Sequence, residues 1–207
     1  MFKLKDWLIK LNFFNMKTLS FILLWALFCV ACADKAKDDE ATREANLEIE
    51  KKAINATIEN ETRSFFARDY NAWKANYAQT DYAFQAWSNN DGTFDSNVGW
   101  DDINKQIGKY IADNPEPVSS HPIVERKNMK YKFFGDNVAY LTWDQFNSDK
   151  MEKNFHHSKE VRLMEKINGE WKIVCVSAFW DYKHLIPADR LPMIKKIANE
   201  SRGKNKI

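Results

Sequence analysis

The dipeptide Asn168-Gly169 constrains this chain more than any other stretch. Both residues accept positive φ, so the pair closes a two-residue type I′ turn whose twist matches that of the strands it joins. Its flanks alternate as strands do, "FHHSKEVRLMEKI" before it and "EWKIVCVSAFWDY" after it. A turn this tight sets register, and register decides which side chains share a face. Counting outward, Ile167 faces Glu170, Met164 faces Ile173, Arg162 faces Cys175, Glu160 faces Ser177 and Ser158 faces Phe179.

Two further period-two segments precede the hairpin, "IVERKNMKYKFF" and "NVAYLTWDQFN", divided by Gly135-Asp136-Asn137. Before them the period is helical. Ile54, Ile58, Phe65, Trp73 and Tyr77 recur near 3.6-residue spacing, and Asp69 is placed to cap a second helical piece in "DYNAWKANY". "YAFQAWSN" reads as a short aromatic strand ended by the turn residues Asn89 to Gly92. Ser96 or Asn97 is placed to cap a later helix with Asp101 and Asp102 in its first turn and Trp100, Ile103, Ile107 and Ile111 on its inner stripe. Helices first and an antiparallel meander afterwards make an α+β fold.

The N-terminal helix leading into "ARDYNAWKANYA", the later capped helix and the closing hairpin "RLMEKINGEWKIVCVSAFW" resemble the nuclear transport factor 2-like superfamily, particularly its SnoaL-like bacterial branch. That resemblance spans residues 47–182. It implies a cone-shaped fold in which N-terminal helices pack on a strongly bent antiparallel sheet, with a ligand-binding cavity between them and a sheet face that relatives often use for a homodimer. It also implies that Trp171 and Ile173 turn toward the helices, which would put Glu160, Arg162 and Ser177 inside the hollow.

The N-terminus reads as a delivery label. From Met16, Lys17 supplies a positive charge, and Leu19 to Ala31 form an apolar run too short to span a bilayer comfortably. Met16 is the expected natural start. Ala31-Cys32-Ala33 suits an ordinary signal peptidase. Val30-Ala31-Cys32 resembles a bacterial lipobox with Cys32 as the lipidation site, although Cys29 stands where that pattern prefers Leu. The expected organisation is a signal peptide over 1–31, a charged tether over 32–46, the domain over 47–184 and a C-terminal tail over 185–207. The expected destination is the periplasm or outer membrane, with a lipid chain as the membrane contact. Cys29 leaves with the signal and Cys32 carries lipid, so Cys175 remains alone and reads as a small core residue.

Composition removes several classes. A formal net charge of +2 with lysines dispersed argues against nucleic acid, which needs cations clustered on one face. Adjacent His156 and His157 point to opposite faces of a strand, and no spacing supplies three preset ligands, so no metal is expected. No cofactor motif occurs. What remains is the hollow. Tyr82 and Trp87 on the first strand, Trp143 on the third, and Ser158, Glu160, Arg162, Ser177 and Phe179 on the hairpin are the candidate ligand-binding residues. Glu160 could serve as a general base in an apolar pocket. It could instead pair with Arg162, which would keep it ionised, or the two could grip a polar ligand group. Asp144 and His156 are the other candidate proton carriers of an isomerase, dehydratase or hydrolase. The leading expectation is a small, partly apolar guest in the cavity; an enzyme and a ligand-free dimeric interaction module are the alternatives.

Overall fold

The computed structural model describes residues 40–118 and 122–191. The expected signal peptide, with Met16, Cys29 and Cys32, and most of the expected C-terminal tail lie outside the described residues. The chain divides into two compact units, Met1–Glu50 and Lys51–Ile207. In the first, residues 40–50 are helical, so the stretch expected to be a tether is structured from residue 40 onward. The second unit holds the sheet and the helices packed on it.

Helix α1 covers residues 51–67 and buries Ile54 and Ile58, one turn apart, with Phe65 packed behind them. Arg68 takes a positive φ and ends it. Asp69 then caps α2 (Tyr70–Lys74) as expected, its carboxylate accepting from the Ala72 amide at 2.9 Å. After α2 the chain touches the sheet at once. Ala78 N donates to Ile173 O and Ile173 N to Asn76 O, a parallel bridge that fastens the helical layer to the last strand.

Strands β1 (Phe84–Ser88) and β2 (Phe94–Val98) form a hairpin. β2 corrects the sequence reading. Ser96 and Asn97 lie within it, and the residue that opens the next helix is Gly99, with φ 82° and no side-chain cap. That helix runs through α3 (Trp100–Ile103), a π-helical turn (Asn104–Gly108) and α4 (Lys109–Asp113). The wider turn brings Asn104 against Gly108, where an added Cβ would collide with the Asn104 side chain and press on the Tyr70 ring. Tyr70 O–H donates to Asn104 Oδ1 at 2.8 Å across the same contact. Ile103 and Ile111 are fully buried, so the expected inner stripe is present.

The meander follows as β3 (Val124–Phe134), β4 (Val138–Ser148), β5 (Asn154–Ile167) and β6 (Glu170–Pro187). β6 therefore continues beyond the expected domain end at 184. The six strands make one strongly curved sheet in the order β2-β1-β6-β5-β4-β3, antiparallel throughout except for the parallel pair β1–β6. The α+β architecture, helices against a bent sheet, is the one expected. Its inner face meets the helices through Trp143, Leu141, Met164, Trp171 and Ile173, all 3% exposed or less. Burying a side chain of this size contributes about 2–3 kcal/mol, which makes this layer the main source of stability.

The hairpin register is correct near the turn and then changes. Ile167 opposes Glu170 and Met164 opposes Ile173, with Asn168 and Gly169 at φ 52° and 83°. A bulge at Val174 then adds one residue to β6, so Leu163 opposes Cys175, Arg162 opposes Val176, Glu160 opposes Ala178 and Ser158 opposes Trp180. One extra residue inverts the alternation of everything beyond it. The β5 set Ser158, Glu160 and Arg162 still faces inward, but on β6 the inward set becomes Val176, Ala178 and Trp180. Cys175, Ser177 and Phe179 turn outward.

Candidate functional site: a buried polar network on the inner face

Three side chains of β5 meet on the inner face. Ser158 Oγ donates to Glu160 Oε1 at 2.6 Å, and Arg162 Nη1 donates to Glu160 Oε2 at 2.8 Å. Ser158, Glu160 and Arg162 are 0%, 1% and 8% exposed. Alternation along one strand is what brings them together, and the Arg162 guanidinium completes its environment by lying 5.0 Å over the Trp143 ring. An ionised carboxylate held here needs both partners, because an unpaired buried charge costs several kcal/mol.

A second cluster adjoins from the helical layer. Tyr77 O–H donates to Glu61 Oε1 at 2.9 Å and accepts from Gln85 Nε2 at 2.9 Å. Burial pushes the Tyr77 phenol well above its ordinary pKa, and the Glu61 carboxylate pushes further in the same direction, while Arg162 acts against them. Tyr77 is thus a neutral donor at any physiological pH. Its ring packs against Trp73 and Trp100, with centroids 4.9 and 5.9 Å away. Around it three buried polar atoms have no hydrogen-bond partner: Gln85 Oε1, Trp73 Nε1 and Asn97 Nδ2. Gln85 and Asn97 are directly opposed on β1 and β2, so they share the inner face. Tyr77, Glu61, Gln85 and Asn97 are not among the site residues expected from the sequence. Tyr77 and Glu61 look like helix-stripe and helix-surface residues there, and Asn97 looks like a cap.

The other candidates fall in three places. Trp143 and Trp87 face inward, Trp143 fully buried and Trp87 half-buried opposite Ala178. His156 is half-buried near the end of β5, its ring 6.2 Å from that of Tyr182, and its Nδ1 is buried with no partner. Tyr82, Ser177, Phe179 and Asp144 are not on the inner face. Tyr82 is 56% exposed and donates to Glu165 Oε2. Ser177 and Phe179 were turned outward by the bulge, and Phe179 is 62% exposed. Cys175 is likewise half-buried on the outer face rather than in the core, its Sγ 3.7 Å from Ser177 Oγ.

Asp144 follows inward Trp143 and therefore points outward. There it receives Asn128 Nδ2 at 3.0 Å, His157 Nε2 at 2.8 Å and the Lys159 ammonium. Partial burial opposes its ionisation, but those hydrogen bonds outweigh it and hold the carboxyl well below the usual carboxylate range. Such an acid is a poor proton carrier near neutrality. Among the described residues no group of three or more His, Cys, Asp or Glu is arranged to hold a metal ion, and no helix is long and apolar enough to cross a membrane.

No protein-family profile and no curated protein matches the sequence. Among solved structures, the chain is similar to an NTF-2-like protein of unknown function from Shewanella oneidensis, with 18% identity over 62% of this chain and 98% of the other, at a TM-score of 0.47. It is also similar to a protein with a cystatin-like fold from Nostoc punctiforme, with 14% identity over 65% and 93% of the two chains and a TM-score of 0.49. A second NTF-2-like protein of unknown function, from Silicibacter pomeroyi, shares 13% identity over 65% and 98%, at a TM-score of 0.47.

Proposed function

We propose that the chain binds a small, partly apolar molecule against the inner face of its sheet, beside Tyr77. The observation that carries this reading is the set of unpartnered buried polar atoms, Gln85 Oε1, Asn97 Nδ2 and Trp73 Nε1, set among aromatic rings. Each costs about 1–3 kcal/mol left unsatisfied. A guest with an apolar body and a group that both donates and accepts would satisfy them, and aromatic side chains with a few fixed polar atoms are the usual composition of a small-molecule site. Binding is favoured over proton transfer because Glu160 is neutralised by Arg162 and Asp144 lies outside. His156 is the remaining inward candidate for an isomerase, dehydratase or hydrolase.

The test is native mass spectrometry of protein purified from its own host, searched for a retained small molecule. Gln85→Met should abolish retention; it removes an orphaned acceptor but also the bond from Gln85 Nε2 to Tyr77, two opposed effects of about 1 kcal/mol each, so the empty protein should change little in stability. Wild-type protein without any retained mass, and unchanged thermal stability across a metabolite extract, would reject the proposal.

The sequence features of the N-terminus support export with a lipid chain on Cys32. Metabolic labelling with palmitate should mark the wild type and not Cys32→Ser. A homodimer through the outer sheet face is the accompanying proposal on assembly. Its support is the apolar patch of Phe94, Val98 and Phe179, which are 72%, 62% and 62% exposed on β2 and β6.

A further inference from the structure

The outer face carries a recess, remote in chemistry from the Tyr77 cluster. A cavity of about 610 Å³ lies over β3, β4 and β5, and its walls include Asn128, Lys130, Thr142, Asp144, Lys159 and Val161. It exists because β3 bulges between Lys127 and Lys130, with Asn128 at φ 57°. A bulge re-aims side chains, and Asn tolerates this conformation better than most residues. Here it sends the Asn128 amide onto Asp144 and leaves Lys130 on the same face, paired across the strands with Thr142.

The lining residues differ in what they offer. At one end, Asp144 Oδ1 accepts from both His157 and Lys159, whereas Oδ2 accepts only from Asn128. A carboxylate oxygen accepts two hydrogen bonds, so Oδ2 has capacity for one more donor. At the other end, Lys130 and Thr142 are cross-strand neighbours. Neither makes a side-chain ion pair or hydrogen bond among the described residues. With Lys159 engaged by Asp144, Lys130 is the uncompensated charge of the recess. A cation beside a hydroxyl recognises an anionic group, and the free lone pair on Asp144 recognises a donor.

We infer that this outer recess binds a small anionic solute carrying a hydroxyl or amine, its anionic group on Lys130 and Thr142 and its donor on Asp144 Oδ2. Trp143 and Glu160 also border the recess, but none of Tyr77, Glu61, Gln85 and Asn97 does, so the proposal does not rest on the guest proposed beside Tyr77.

Amide chemical shifts of the whole protein titrated with glycerol 3-phosphate, inorganic phosphate and glycerol provide the test. Saturable shifts centred on residues 128–130, 142–144 and 159–161 are expected with glycerol 3-phosphate, at roughly tenfold lower concentration than with phosphate, and none with glycerol. Lys130→Gln and Thr142→Val should each weaken binding, Lys130→Gln by about tenfold or more. Three results would overturn the inference: no saturation below about 10 mM, equal affinity for inorganic phosphate, or wild-type binding in Lys130→Gln. Lys130 is exposed, so its replacement should leave the melting temperature unchanged.

Discussion

Removing either member of the Glu160–Arg162 pair leaves a charge stranded under the helices. Arg162→Met strands the carboxylate and should cost about 3–5 kcal/mol by urea denaturation. Glu160→Gln keeps the shape and a hydrogen-bonding group but leaves the guanidinium without its counterion, so a smaller loss, near 2 kcal/mol, is expected. A Glu160→Gln protein as stable as the wild type would mean that the pair does not order the sheet. Asp144 gives a different signature. Its pKa is lowered on folding from an ordinary value near 3.9, so its stabilisation is present above about pH 4 and is lost as pH falls toward the folded value. Asp144→Asn should therefore cost about 2 kcal/mol at pH 7 and less at pH 3, where protonation of the unfolded chain has begun to remove the effect but has not finished, read from urea midpoints at both. The inward placement of Ser158, Glu160 and Arg162 was legible from alternation on β5 alone. Their partners from the helices were not, because nothing in a helical stripe says which Tyr will reach a Glu and a Gln across the core.

At the scale of elements, the turn at Asn168-Gly169 was readable because its chemistry is local. The bulge at Val174 was not, since Ile173, Val174 and Val176 form an unbroken apolar run with no Gly or polar residue to mark where pairing slips. That single residue moved Ser177 and Phe179 from the expected pocket to the surface. β2 was missed for a related reason: "FDSNV" has turn composition, and only pairing with β1 makes it a strand. The π-turn offers a test of local packing. Gly108→Ala should displace Asn104 and break its bond to Tyr70, with a loss of about 1–3 kcal/mol, and Asn104→Ala should relieve most of the added cost in the double variant. Additive effects of the two substitutions would reject that account.

For the whole molecule, the two faces of one sheet have different surroundings. The inner face is covered by the chain's own helices, and the outer face presents Phe94, Val98 and Phe179. If a second copy covers that patch, symmetry places the same residues on both sides of the contact, so one substitution acts twice. Phe179→Asp should convert a dimer to a monomer by sedimentation velocity, with little change in the melting temperature of the monomer. A wild-type protein that sediments as a monomer at high concentration would dismiss the interface.

β6, the last strand in chain order among the described residues, sits in the middle of the sheet, with β1 on one flank and β5 on the other. Tyr77 and the β1 residues Phe84 to Trp87 must wait for partners that lie some ninety residues downstream, Ile173 and Cys175 to Ala178. The nascent chain can therefore close its hairpins early but has no means of uniting its two halves until β6 has emerged. Its folding is governed by that late, long-range insertion and should be slow for its length.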